Sequence, residues 1–163
     1  MENSFVLMTD SSTDLPNVFY FKNDISFIPI NYILEDVEYK DDAGVSMKYS
    51  DFYTKIRAGA SSTTSMINML DYIQRFEEHL KAGEDVLYIS ISSGISGSYE
   101  SAMSAAKEIS AAYPQRKLYI CDGLCASMGG AVLVRLADKQ RAAGKSIDEV
   151  RDWVEENKKN IIP

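Results

Sequence analysis

The stretch that decides the fold is Val86-Leu87-Tyr88-Ile89-Ser90-Ile91, followed at once by Ser92-Ser93-Gly94-Ile95-Ser96-Gly97. A short, near-continuous apolar run is typical of a central strand in a parallel sheet, because both faces of such a strand are buried. The polar, glycine-containing stretch after it is typical of a turn that leads into a helix. The sequence therefore predicts a buried strand that ends in a hydroxyl-rich turn.

Strands and helices alternate on both sides of this stretch. Apolar runs predict further strands at 5–8, 25–34, 37–40 and 117–121. Helical spacing of apolar residues predicts helices at 49–57, 68–81, 98–112 and 126–143, and a last helix after the capping box of Ser146 and Glu149. Such alternation implies right-handed crossovers, so we predict an α/β fold. Specifically, we expect a three-layer, Rossmann-like domain with a mostly parallel sheet.

Three local predictions concern chain breaks and helix starts. Pro29 removes a ladder donor, so we expect it at a sheet edge or a bulge. Ser50 is expected to cap the helix at 49–57, and Asp14 is expected to cap the helical turn near Pro16.

Length and charge limit the class of protein. A chain of 163 residues suits one domain with a single core. Its net charge of −7 repels nucleic-acid backbones and anionic membranes, because its basic residues do not cluster. The start of the chain, 1–4, has no basic n-region, and no apolar window approaches the roughly 18 residues of a membrane span. We therefore expect no nucleic-acid partner, no stable membrane insertion and a cytoplasmic location.

The sequence offers few residues for metal or disulfide chemistry. Cys121 and Cys125 are the two cysteines, and His79 is the single histidine. A metal site would need further Cys or His ligands, so we expect structural thiols and no metal. Sparse thiols are typical of reducing compartments.

Four polar stretches at 9–13, 62–65, 92–97 and 122–127 are predicted as strand-to-helix turns. In an open parallel sheet such turns share the carboxyl edge, where ligands bind, and the helix N-termini that follow attract anions. Any single Ser or Thr there is more often a cap or a turn former, but four such turns together favour a ligand site. Gly94 would allow close backbone approach, and the hydroxyls of Thr64, Ser93 and Ser96 could donate to ligand oxygens.

The absence of basic residues from these turns limits the charge of the expected ligand. None of them contains Lys or Arg, and the chain has no P-loop motif. Sites for di- or triphosphates usually add such a cation. A singly charged head group such as a carboxylate therefore fits better than a nucleotide.

Two alternatives to a binding function stay open. A phosphatase- or hydrolase-like enzyme could use Asp10 or Ser96 as its nucleophile, but Ser96 misses the Gly-x-Ser-x-Gly spacing and His79 is expected at the opposite edge of the sheet. If their role is structural rather than catalytic, Asp10 and Asp122 only orient hydroxyls or amides around the site. The second alternative is an interaction fragment without a ligand.

Two motifs resemble the DegV family of bacterial fatty-acid-binding proteins. They are Thr9-Asp10-Ser11-Ser12-Thr13-Asp14-Leu15-Pro16 and Ser92-Ser93-Gly94-Ile95-Ser96-Gly97-Ser98-Tyr99-Glu100-Ser101-Ala102, and blocks at 62–65 and 121–129 follow the expected order. The resemblance covers nearly all of this chain but only the first domain of the usual two-domain member. We therefore expect a lipid-binding domain of the DegV N-terminal type at 1–156. Residues 157–163 are expected to be a C-terminal tail or a truncated linker to an absent second domain.

The resemblance implies that a long-chain fatty acid is bound, with its acyl chain in an apolar tunnel. Its carboxylate would be held by Thr64 and by a serine of the Ser92–Ser93 pair, of which we choose Ser93. Supporting ligand contacts are expected from Ser96, Ser65, Gly94, Ser11 and Ser127.

The resemblance also implies a carrier rather than an enzyme, with no catalytic residue and no cofactor of its own. On this interpretation the protein presents the carboxylate to a separate ATP-dependent fatty acid kinase subunit. An apolar groove left exposed would favour self-association, so a homodimer is a further expectation.

Overall fold

Two sheets, one parallel and one antiparallel, organise the computed structural model, which describes residues 5–161. The expectations about 1–4 and about the last two residues of the tail lie outside this range. The strands are β1 (Val6–Asp10), β2 (Ile25–Ile28), β3 (Asn31–Leu34), β4 (Val37–Lys40), β5 (Ser62–Ser65), β6 (Val86–Ser90) and β7 (Leu118–Asp122). The helices are α1 (Asn17–Lys22), α2 (Tyr49–Arg57), α3 (Met69–Lys81), α4 (Ser98–Ser110), α5 (Ser127–Ala142) and α6 (Ile147–Asn157). Short 3-10 turns follow β1 and α6.

The main sheet has the order β2-β1-β6-β7, and all of its pairs are parallel. All five residues of β6 are buried, which confirms the prediction of a central strand. Leu87 and Ile89 face a core cluster shared with α5 and α6, whereas Val86 and Tyr88 face a cluster shared with α3 and α4. Burial of such side chains contributes about 1.5–3 kcal/mol each, so this strand anchors both faces of the fold. The predicted three-layer α/β fold is confirmed.

The second sheet is antiparallel, with the order β4-β3-β5. It shows that the single strand predicted at 25–34 is wrong, because β2 and β3 lie in different sheets. Pro29 separates them, since it has no N–H to continue a ladder. The turn predicted at 62–65 is also wrong: this segment is β5, and Thr64 pairs with Tyr32 of β3.

Two of the predicted helix caps are wrong and one prediction is confirmed. The residue before α2 is Lys48, which makes no side-chain cap, and the Ser50 hydroxyl bonds to Asp51 instead. Asp14 adopts a left-handed conformation with φ of 53° at the end of the first 3-10 turn, and Pro16 precedes α1. The Ser146–Glu149 capping box at the start of α6 is present.

Within residues 5–161, no helix has the length and apolar character that crossing a bilayer requires.

Candidate functional site

A cavity of about 530 Å³ lies between the small sheet, α2 and the loops that follow β1 and β6. Its size falls in the usual range of small-molecule sites. Its apolar and aromatic lining comes mainly from Ile30, Tyr32, Met47, Phe52, Met66 and Ile91. Because the small sheet covers the carboxyl edge of the main sheet, the cavity occupies the place where open α/β sheets bind ligands.

An aromatic wall closes the side of the cavity formed by β3 and α2. The Tyr32 ring stacks on Tyr39 at 5.4 Å and meets the edge of Phe52 at 5.5 Å, and Phe52 contacts Tyr53 at 5.3 Å. Tyr49, Phe52 and Tyr53 share one face of α2 because residues three and four apart lie on the same side of a helix. This face borders the cavity rather than the core. Sequence analysis did not single it out, although the spacing was an available signal.

The predicted ligand residues divide into two groups. Thr64, Ser65 and Ser96 line the cavity, whereas the other four, all within the described part of the chain, do not: Ser11, Ser93, Gly94 and Ser127. The Ser11 hydroxyl is buried and accepts from the Ile30 amide at 2.9 Å. The Ser127 hydroxyl donates to Asp14 at 2.5 Å, and Asp14 itself reaches the lining.

Ser93 is held by Asp122. Its amide donates to one carboxylate oxygen at 3.1 Å and its hydroxyl donates to the other at 2.5 Å. A hydroxyl has one proton to donate, so Ser93 donates to a ligand only after it leaves Asp122. The predicted contact between Ser93 and a ligand carboxylate stays a prediction.

Most other hydroxyls of the lining are also engaged. Ser62 donates to the Ile33 carbonyl at 2.9 Å, Ser12 donates to Asp10, and Ser96 and Ser98 bond to each other at 2.9 Å. Among residues 5–161, we find no such partner for the hydroxyls of Thr64 and Ser65, which are both exposed on β5. Among the Ser and Thr side chains of the lining, these two are therefore the ones free to donate to an anionic head group.

Acidic side chains also line the cavity. Asp14, Asp41 and Asp42 line it together with Lys40. Burial raises the pKa of Asp41, and the nearby carboxylates raise it further, although hydrogen bonds from Ser11 and the Ala43 amide lower it. Burial, followed by the same three carboxylates, raises the pKa of Tyr49 to about 12. These carboxylates repel an anionic head group and disfavour its binding beside them.

The geometry gives no support to the enzymatic alternatives. Asp10 is fully buried, and both of its oxygens accept hydrogen bonds from protein groups. The His79 ring bonds to Glu84 at 2.8 Å and to Ser26 at 3.2 Å, so it is not the base that Ser96 would need. The interpretation in which Asp10 and Asp122 orient amides and hydroxyls agrees with these contacts.

The cysteines and acidic residues form no evident metal site. Cys121 and Cys125 are free and buried, and burial raises the pKa of the Cys121 thiol to about 12. Across residues 5–161, no group of three or more His, Cys, Asp or Glu side chains is arranged to hold a metal ion.

Comparison with known proteins gives the chain its relatives. A DegV domain-containing protein of Clostridium perfringens is 36% identical over 157 residues, which are 96% of this chain and 54% of that protein. A Thermotoga maritima protein named fatty acid-binding protein is 31% identical over 156 residues, or 94% of this chain and 52% of its own length. The chain thus spans about half the length of these relatives.

Solved structures agree with the fold. A crystal structure described as a DegV lipid binding protein from Thermotoga maritima matches with a TM-score of 0.83 at 30% identity, covering 96% of this chain and 55% of the other. The family model described as an uncharacterised protein of the DegV family matches residues 4–162. Because the family model matches nearly the whole chain, the chain belongs to the DegV family.

Proposed function

We propose that this chain binds a long-chain fatty acid in the cavity beside β5. The carboxylate accepts hydrogen bonds from Thr64 and Ser65, Ser96 lies nearby in the lining, and the acyl chain follows the apolar and aromatic wall. The observation that carries this proposal is the meeting of two unpaired hydroxyls with a largely apolar cavity of about 530 Å³. The names of the relatives, one a fatty acid-binding protein and one a lipid binding protein, support the same ligand class.

The two parts of the ligand contribute differently to affinity. Each methylene moved from water into an apolar site contributes about 0.8 kcal/mol, so the acyl chain supplies most of the binding free energy. Hydroxyl donors orient the carboxylate and distinguish it from neutral head groups. Ser93 joins them only if its hydroxyl is released from Asp122.

The wider role that we propose is that of a carrier without chemistry of its own. Both carboxylate oxygens of Asp10 already accept hydrogen bonds from protein groups, and the His79 ring is bonded to Glu84. These contacts support a binding protein over a hydrolase. Presentation of the carboxylate to a partner fatty acid kinase, and a homodimer, are the finer parts of this proposal and rest on the family resemblance. A cytoplasmic location is supported by two free, buried cysteines, which suit a reducing compartment.

The test is a pair of substitutions on β5 with a matched control on the same strand. We expect the double variant T64A/S65A to lose palmitate affinity by roughly 1.5–3 kcal/mol for each lost bond to the charged carboxylate. Thr63 is exposed on the same strand but does not line the cavity, so Thr63→Ala should bind as the unmodified chain does. Isothermal titration calorimetry measures both.

1-Hexadecanol separates head-group recognition from acyl binding. It has the same chain but no carboxylate, so its affinity should change much less in the double variant. Equal losses for palmitate and hexadecanol, or a loss in Thr63→Ala, would contradict the assignment. Mass spectrometry of lipid extracted from the purified protein identifies the natural ligand.

A further inference from the structure

The loop after β6 is held from both sides by carboxylates. Asp10 ends β1 and Asp122 ends β7, and these strands are the two neighbours of β6 in the sheet. Asp10 accepts from the Ile91 amide at 2.9 Å, and Asp122 accepts from the Ser93 amide at 3.1 Å and the Ser93 hydroxyl at 2.5 Å. Two residues of one loop are therefore fixed to two different strands.

Asp10 also holds the loop that follows its own strand. It accepts from the amide of Ser12 at 3.1 Å and from the Ser12 hydroxyl. Ser12 and Ile91 both line the cavity. One buried carboxylate thus sets two positions of the cavity wall that lie about eighty residues apart in sequence.

A chain of hydrogen bonds joins Asp10 to two buried tyrosines. Tyr88 donates to Asp10 at 2.8 Å, and its hydroxyl lies 2.8 Å from that of Tyr72. Because Tyr88 gives its proton to Asp10, Tyr72 must be the donor in the second bond. Both rings are fully buried, so the carboxylate has little freedom to turn away from the loops.

We propose that Asp10 and Asp122 are positioning residues that clamp the loop at 91–93 and so hold the cavity wall in place. Asp10 fixes Ile91 and Ser12, whereas Asp122 fixes Ser93 and keeps its hydroxyl turned away from the ligand. The effect on a fatty acid rests on the proposed function, but the clamp itself does not.

Amide hydrogen exchange measured by NMR tests the clamp residue by residue. In Asp10→Ala the Ile91 amide should exchange at least about tenfold faster while Ser93 keeps its protection, and Asp122→Ala should give the reverse pattern. General destabilisation would speed both amides together. Thr9→Val is the matched control, because it removes the buried bond from Thr9 to the Ile89 carbonyl between the same two strands and leaves the loop contacts intact.

The proposal is overturned if both amides respond alike in the two Asp variants, or if Thr9→Val releases the loop equally. Should Asp10→Ala fail to fold, through-bond coupling from the Ile91 nitrogen to the Asp10 carboxyl carbon in the unmodified chain decides the matter, and its absence rejects the clamp.

Palmitate titration adds the functional reading. We expect Asp10→Ala to lose at least about tenfold in affinity, and Thr9→Val to lose none. Unchanged affinity in Asp10→Ala would reject the role of the clamp in binding. The expected exchange pattern in a chain that binds no palmitate would instead reject the proposed function and leave the clamp standing.

Discussion

Asp41 and Asp148 show how the surroundings of one carboxylate decide its response to pH. Burial is the main reason that the pKa of Asp41 lies above its ordinary value of 3.8, and Asp14 and Asp42 add to the effect. Asp148 is half-buried, and hydrogen bonds from Lys117 and Tyr119 hold its pKa below 3.8. The two residues therefore influence the free energy of unfolding in opposite directions.

We predict opposite pH trends for Asp41→Asn and Asp148→Asn in urea unfolding. The stability that Asp41 contributes is present below pH 3.8 and is lost as pH rises through its raised pKa. The free energy of unfolding of the original chain should therefore fall relative to that of Asp41→Asn as the pH rises above 3.8. The contribution of Asp148 is present above pH 3.8 and is lost as pH falls through its lowered pKa. Trends of the same sign in both variants would show that these environments are assigned wrongly.

At the scale of residues, the sequence predicts which side chains lie near the cavity better than it predicts where their hydroxyls point. Thr64, Ser65 and Ser96 were expected at the ligand and do line the cavity. Ser93 was expected there too, but its hydroxyl faces Asp122, which lies 29 residues further along the chain. The direction of a hydroxyl depends on such distant partners, and local spacing does not reveal them.

At the scale of elements, buried segments were predictable and the small sheet was not. β6 and the long helices carry clear apolar patterns and were found within a few residues of their expected ends. β5 is mostly exposed, and it is a strand because it pairs with β3 some thirty residues earlier. A run of Ser and Thr shows no apolar alternation, so its extended form follows from that ladder and not from its own pattern.

The start of α6 gives a prediction for a single element. Ser146→Ala removes the side-chain half of the capping box and should lower the free energy of unfolding by about 1 kcal/mol. Ser104→Ala is the control, because Ser104 is exposed within α4 and Ala is the better helix former there. Urea denaturation of both variants measures the difference. A larger loss in Ser104→Ala would contradict the capping argument.

At the scale of the whole molecule, stability is distributed unevenly between the two sheets. All five residues of β6 are buried. In contrast, none of the nine α2 residues, all within the described part of the chain, is buried, and three of the four residues in each of β4 and β5 are exposed. Few buried contacts imply a low free energy of local opening.

We predict that amides of the small sheet and α2 open with a free energy at least about 2 kcal/mol lower than those of β1 and β6. Palmitate should slow exchange in the small sheet and α2 and leave the main sheet unchanged, because the ligand contacts the first group directly. Hydrogen exchange with mass spectrometry measures both effects. Uniform protection across the chain, with or without palmitate, would show that the two sheets open together.

The pairing of Asn31 with Ser65 has a consequence for how this pocket can change over time. The segment from residue 31 to residue 65 supplies most of the residues that line the pocket, and its two ends lie side by side. Insertions, deletions or exchanges within it need not displace the strands that support it. Natural variation or engineering can therefore reshape the pocket for acyl groups of other sizes while the scaffold keeps its architecture.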